Sequence, residues 1–255
     1  MASSPDPSSV ELAARLGAHA RVMHVVSSVP RSSCVREVRL VGDATLLAGV
    51  AGNDVMIRLI DDHGRAIRRR YSVQGLDVAR NELTLWVTTD HDGPGVRWAV
   101  EALAGDPVDV VGPRGKIVLD PLADWHLFMG DVSGLGVFYR MAREIEVPGR
   151  AIFIVEIDHA DDALTADFDE GLGVTGIFID RQGRALDDAT GMLSALSSFA
   201  FPPDEGHAYL FGEFHVTKVL AAALRDRGLD DDAIQVKSFW RVGRRNADHG
   251  EPQKD

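Results

Sequence analysis

From about Arg21 to Asp120 the apolar residues come in short runs, β-branched or alternating with polar ones, each closed by Gly, Asp, Asn or Pro. The runs ARVMHVVSSV, CVREVRLVG, DVMIRLIDD, RAIRRRYSV, ELTLWVTTD and DPVDVVGPRG read as strands. Strands at this spacing, with almost no helix between them, predict an antiparallel β-barrel or a sandwich. One stretch breaks the pattern. GPGVRWAVEALAGD sets Val96, Ala99, Val100 and Leu103 at helical spacing between a glycine-rich entry and Gly105. From about Trp125 the texture alternates. WHLFMGD, RAIFIVEID, GVTGIFID, HAYLFGE and AIQVKSFWRVG read as strands, and GLGVFYRMAREIE, ATGMLSALSSF and FHVTKVLAAALRDRG as helices. That order predicts an open, mostly parallel α/β sheet with helices on its faces. The fold class is therefore β followed by α/β, with the boundary near LDPLAD, Asp120–Ala123. The predicted organisation is residues 1–20 as a flexible N-terminus or short helix, 21–121 as the barrel, 122–245 as the α/β domain and 246–255 as a polar tail. Within the first segment SSPDPSS reads as unstructured and VELAARLGAHA as helical.

Composition narrows the function classes. With 255 residues, 45% of them apolar, the chain can build real cores. A net charge of −12 argues against broad nucleic-acid or anionic-membrane binding. Cys34 is the sole cysteine, which excludes a disulfide framework and any site built from several thiolates, and suits a reducing cytoplasm. No apolar run approaches the length of a membrane span, and the N-terminus lacks the basic-then-apolar order of a secretory signal. The nine histidines show no HxH or HxxxH spacing, so no fixed metal site is expected. The acidic surface suits a monomer or weak dimer acting on a small molecule.

Against that acidic background, RRRYSVQ stands out at Arg68–Gln74. Arg69 and Tyr71 share one face of a strand, and Ser72 faces the other way or stands at the strand's end. A guanidinium offers a fork of donors to phosphate, a phenol stacks on a planar ring, and a hydroxyl hydrogen-bonds a ring nitrogen. Further on, DGPGVRWA spans Asp92–Ala99. There Gly93 and Gly95 let backbone approach closely, and a helix N-terminus offers N–H donors to an anion. Each signal alone is common on ordinary surfaces. Together, on a barrel that precedes an α/β domain, they point to a flavin. A barrel followed by an open α/β domain also suggests two ligands, and open sheets bind theirs beyond the carboxyl ends of the strands.

RRRYSV, DGPGVRWA, GDPVDVVGPRG, LFMGDVSGLGVFYRMARE, AYLFGEFHVTKVLAAALRDRGL and SFWRVGR, in this order, resemble the siderophore-interacting proteins, ferric-siderophore reductases within the ferredoxin–NADP reductase superfamily. The resemblance runs from about Arg21 to Arg245. It implies a barrel that binds FAD. Arg69 would meet the pyrophosphate, Tyr71 would pack on the isoalloxazine and Ser72 would hydrogen-bond near its N5. Tyr71 and Ser72 are thus the candidate catalytic residues. Val73, Thr89, His91, Gly93, Pro94, Gly95, Val96 and Trp98 would complete the cofactor cradle. NADPH or NADH would enter near Gly130, Asp131 and Ser133. Arg181 would stand at the adenosine phosphate of NADPH, and Trp240 would close the cofactor set. Electrons would pass through flavin to Fe(III) in a siderophore, because hydride carries two electrons and Fe(III) accepts one.

The chain departs from the family pattern at identifiable places. Gln74 stands where a second arginine is usual, and Thr88-Thr89-Asp90-His91-Asp92 replaces a His-Gly pair. Asp90 and Asp92 would repel a diphosphate and are expected to point away. In GDVSGLG, Gly134 and Gly136 replace Ala and Pro, which adds backbone freedom beside the expected nicotinamide. Two alternatives follow. One is an FAD-binding member recruited to a biosynthetic transformation of a small metabolite, with weakened nicotinamide use. The other is a binding module that has lost its flavin. Lys218, Arg241, Arg244 and Arg245 are further candidates for anion contact, whereas His207 and His215, at the ends of HAYLFGE, read as structural.

Overall fold

The structure, a computed structural model, describes residues 4–47, 49–164 and 170–244. The chain divides into two compact units, Met1–Val118 and Leu119–Asp255. The tail read as residues 246–255, and Arg245, lie outside the described residues.

The first unit opens with helix α1, Pro7–Leu16. Of SSPDPSS, expected to be unstructured, Pro7–Ser9 are helical, while Ser3 lies outside the described residues. Asp6 caps the helix by accepting from the Ser8 N–H, Pro7 supplies a preset φ at the first position, and Gly17 ends it in the left-handed region. Asp109 anchors this start by accepting from the Asp6 N–H and the Ser9 hydroxyl, both at 2.9 Å. The strands are β1 His19–Pro30, β2 Val35–Val41, β3 Asp54–Ile60, β4 Ala66–Asp77, β5 Glu82–Thr88 and β6 Pro107–Arg114. They close a barrel in the order β1-β2-β5-β4-β3-β6, and every pairing is antiparallel. Period-two alternation sends Leu83, Leu85 and Val87 of β5 inward to meet Val38, Leu40, Val55 and Ile57. Helix α2, Pro94–Glu101, packs against β2, β3 and β5.

The second unit holds β7 Trp125–Asp131, β8 Ala151–Ile157, β9 Thr175–Asp180, β10 Gly206–Glu213 and β11 Ile234–Trp240. These form one parallel sheet in the order β11-β10-β7-β8-β9. Every residue of β7 and β8 is buried, which is why they read as largely apolar runs. Helices α3 Leu135–Ala142, α4 Thr190–Ser198 and α5 Phe214–Asp226 complete the unit. Helix α3 ends at Ala142, earlier than GLGVFYRMAREIE suggests, and a 3₁₀ turn, Val132–Gly134, precedes it. Strand order reverses between β7 and β10. Their carboxyl ends are therefore the place where such a sheet offers a crevice.

Candidate functional site: a barrel cradle and a braced sheet edge

On β4 the three consecutive arginines do different work. Arg70 pairs with the buried Asp54 at 2.9 Å, and Arg68 donates to the Ser8 carbonyl and hydroxyl of the α1 turn at 3.1 and 3.0 Å. Both brace the barrel. Arg69 takes the opposite face together with Tyr71, and α2 lies over that face. Tyr71 and Trp98 sit with ring centroids 5.8 Å apart and pack on the barrel core. Gly95 makes this approach possible. A Cβ there would fall 2.4 Å from Tyr71 Oη and 3.6 Å from Arg69 Cγ. The structure thus brings Arg69, Tyr71, Gly95 and Trp98 together at the start of α2. Gly93 caps that helix with no side-chain partner for its first N–H groups. Beside it runs a cleft of about 370 Å³, lined by Leu59, Ile60, Asp62, Pro94, Arg97, Trp98 and Glu101, with Arg97 bound to Asp62 at 2.7 Å.

Electrostatics sharpen the cradle. Burial pushes the Tyr71 phenol well above its ordinary value, with Arg69 opposing, so it stays neutral. His91 lies within the fields of Arg69 and Asp92. A hydrogen bond to Asp90 at 2.9 Å holds its pKa above the ordinary 6.5, against burial. Asp90 is therefore engaged by His91. Ser72 Oγ is buried with no protein hydrogen-bond partner. Arg69, the Tyr71 and Trp98 rings and the uncapped start of α2 offer a guanidinium, stacking surfaces and N–H donors, and Ser72, the next residue of β4, holds a hydroxyl that a polar group could satisfy, so these residues fit a flavin.

The other expected cradle residues are placed as follows. Val73 belongs to the barrel core, 6% exposed, and its N–H is taken by the Asn53 carbonyl at 3.0 Å. The Thr89 N–H donates to the Cys34 carbonyl at 2.8 Å. Val96 is half-buried on the first turns of α2. Gln74 falls where the β4–β5 register shifts and is 7% exposed, so an arginine there would carry its charge into the interior.

At the carboxyl ends of β7, β10 and β11 the expected nicotinamide residues hold one another. Asp131 Oδ1 accepts from the Ser133 N–H at 2.9 Å and from its hydroxyl, while Oδ2 accepts from the Glu213 N–H and Trp240 Nε1, both at 3.0 Å. Gly212 permits this, since a Cβ there would lie 2.4 Å from Asp131 Oδ2. Glu213, flagged only as part of a motif, caps α5 through the His215 and Val216 N–H groups. Gly134, read as added freedom, is a packing residue, because a Cβ would meet Phe138 Cζ at 2.8 Å. Lys218 and Arg241 both lie over the Phe214 ring, 4.3 and 4.7 Å from its centroid.

Arg181 is not a surface arginine. It is 3% exposed, with Nε 3.3 Å from Glu156 Oε2 and 3.1 Å from Asp158 Oδ1. The sequence reading missed both carboxylates. Glu156 is a lone charge in an otherwise apolar strand, and that was a usable signal. At the opposite end of the sheet, His207 stacks on Tyr209 at 4.9 Å and pairs with Asp120 at 3.4 Å, which supports its structural reading.

A closed six-stranded antiparallel barrel followed by a five-stranded parallel sheet of this order is the ferredoxin reductase-like fold. Within it, residues 43–117 match the siderophore-interacting FAD-binding domain and residues 123–243 match the siderophore-interacting protein domain. The chain belongs to the siderophore-interacting protein family, and its barrel is that family's FAD-binding domain. It is 29% identical over 190 residues to an uncharacterized protein of Mycobacterium tuberculosis, covering 69% of this chain and 65% of that one. It is 25% identical over 168 residues to the NADPH-dependent ferric-chelate reductase of Escherichia coli, covering 64% and 63%. In both cases the match spans slightly less than two thirds of the relative's length. The crystal structure of a siderophore utilization protein from T. fusca superposes with a TM-score of 0.75 at 26% identity, covering 91% of this chain and 96% of that one. Among the described residues no helix is long and apolar enough to cross a membrane.

Proposed function

We propose that this protein is an FAD-dependent oxidoreductase that takes electrons from NADH or NADPH and delivers them to a ferric siderophore. The observation that carries this reading is the cradle of Arg69, Tyr71, Gly95 and Trp98 at the start of α2, in a barrel of the FAD-binding family. Bound flavin supplies the conversion of a two-electron donor into the single electrons that Fe(III) accepts. One NAD(P)H therefore reduces two Fe(III), yielding NAD(P)⁺, one proton and two Fe(II). The protein's part is positional. Arg69 neutralises diphosphate, His91 adds a second cation when protonated, Tyr71 and Trp98 wall the ring, and Ser72 meets its polar edge. Iron arrives inside its chelator and needs no ligand from the chain. By their names, the E. coli relative is an NADPH-dependent ferric-chelate reductase and the T. fusca protein serves siderophore utilization. A reducing cytoplasm suits the single buried Cys34.

The test is a visible spectrum of the purified protein under anaerobic conditions, before and after NADH or NADPH, followed by a ferric siderophore and a coloured Fe(II) chelator. Flavin bands that bleach with nicotinamide and recover with ferric chelate, with Fe(II) appearing, are expected. Flavin that persists unreduced by either nucleotide refutes the donor assignment. Bleached flavin that no ferric chelate reoxidises refutes the acceptor. A chain that stays colourless after incubation with FAD refutes the whole reading.

A further inference from the structure

At the carboxyl ends of β8 and β9 the charged side chains form a closed network. Arg181 is 3% exposed and lies between Glu156 and Asp158. Arg184 Nη2 donates to Glu156 Oε1 and to the Asp180 carbonyl, both at 3.0 Å. Asp188 lies in the field of Arg184. Around these two guanidiniums stand the carboxylates of Glu156, Asp158 and Asp188, so carboxylates outnumber the cations. The register explains the meeting. Parallel pairing sets Glu156 beside Ile179 and Ile157 beside Asp180, which brings the end of β8 against the turn that carries Arg181 and Arg184. A second feature is independent of the acidic count. Arg181 Nη1 is buried and has no hydrogen-bond partner.

In an open parallel sheet that binds a dinucleotide, the end of the second strand reads the adenosine ribose. A carboxylate there accepts from the 2′-hydroxyl, whereas a free arginine accommodates a 2′-phosphate. Here the second strand of the sheet is β8, and it ends in Glu156-Ile157-Asp158. The arginine that sequence alone offers to a phosphate is already neutralised by those carboxylates. A phosphate dianion would have to displace them from a buried guanidinium and would face the carboxylates left behind. A ribose hydroxyl both donates and accepts. It can donate to Asp158, whose side chain is 30% exposed, and it makes no demand on the Glu156–Arg181 pair.

We infer that the ends of β8 and β9 select NADH over NADPH, with Asp158 as the ribose-reading residue and Glu156 as the residue that withholds Arg181 and Arg184 from a 2′-phosphate. This rests on the nicotinamide donor proposed above and deepens it. Like charges brought together cost enough to make the discrimination on the order of 10- to 100-fold.

The experiment uses the full chain loaded with FAD. Calorimetric titration with NAD⁺, NADP⁺, AMP and adenosine 2′-monophosphate reads binding, and anaerobic flavin bleaching by NADH and NADPH reads transfer. NAD⁺ should bind more tightly than NADP⁺ by that factor, and adenosine 2′-monophosphate should bind more weakly than AMP. Asp158→Asn, at a partly exposed position, should shrink the NAD⁺/NADP⁺ ratio about tenfold by removing the repulsion, with an unchanged melting curve as its folding control. Glu156→Gln should raise NADP⁺ affinity by freeing Arg184 and leaving Arg181 with Asp158 alone. Equal or tighter binding of NADP⁺ by the native protein overturns the inference and leaves the nicotinamide donor standing. An unchanged ratio in a folded Asp158→Asn protein overturns the role of Asp158. Failure of both nucleotides to bind or bleach overturns the donor and this selection together.

Discussion

The contact between Gly95 and Tyr71 can be tested apart from any ligand. A Cβ at position 95 would lie 2.4 Å from Tyr71 Oη, but 3.7 Å from Cζ and 3.6 Å from Arg69 Cγ. The clash is therefore with the hydroxyl alone. Restoring an ordinary contact requires that oxygen to move by about 1 Å. Tyr71 has little room, because its ring lies between Trp98 and the barrel core. Overpacking of this kind costs about 1–3 kcal/mol. Against it stands the gain from replacing Gly by Ala in a helix, up to about 1 kcal/mol. Gly95→Ala should therefore destabilise the native protein by up to about 2 kcal/mol. In a Tyr71→Phe background the hydroxyl is gone, and the same substitution should be neutral or stabilising. Urea titration of the four proteins in a double-mutant cycle measures the coupling, expected at about 1–3 kcal/mol. Equal effects of Gly95→Ala in both backgrounds would show that α2 does not rest on Tyr71 as described. The cradle would then lose its central contact.

Asp131→Asn tests the sheet edge. Whichever way the amide turns, its NH₂ faces two donors, either those of Ser133 or those of Glu213 and Trp240, so a loss of about 2–3 kcal/mol is expected in urea titration. Trp240→Phe, which removes one donor and keeps the ring, should cost less than Asp131→Asn. His126 predicts an acid dependence. Burial, and then the neighbouring His207, push its pKa down to about 4 from an ordinary 6.5. The unfolded chain binds this proton more readily, so the contribution to stability is complete above 6.5 and is lost as pH falls towards 4. It amounts to roughly 3 kcal/mol over that window. His126→Phe should flatten the slope of melting temperature against pH between those limits, and an unchanged slope would sink the assignment. His91 runs the other way. Its pKa is raised chiefly by the hydrogen bond to Asp90, so FAD should dissociate more readily as pH rises above 6.5, and Asp90→Asn should shift that transition downward.

How far these residues were legible depends on the range of the interaction. Strand and helix identities follow from local pattern. Alternation in ELTLWVT, continuous burial in WHLFMGD and Pro-Gly at the start of α2 each carry their own physical reason. The partners of charged groups do not. Arg68, Arg69 and Arg70 are the same letter three times, yet Ser8 takes the first and Asp54 the last. Local alternation puts Arg69 on the Tyr71 face, but only barrel closure and the β3–β4 register decide which groups take the other two. Arg181 shows the same limit more sharply. At a strand end it reads as an anion receptor, and the structure makes it the counterion of a neighbouring strand. What the sequence does contain is the demand for such a counterion. Glu156 sits in AIFIVEI, a strand buried along its whole length, and a carboxylate in that position must meet a cation or lose its charge. The cation has to come from a strand or turn beside it, and β9 carries Arg181 and Arg184 just past its end. A lone charge in an unbroken apolar strand is thus a long-range constraint written locally. Here it points to Arg184 and to Arg181, the arginine that the motif reading assigned to phosphate.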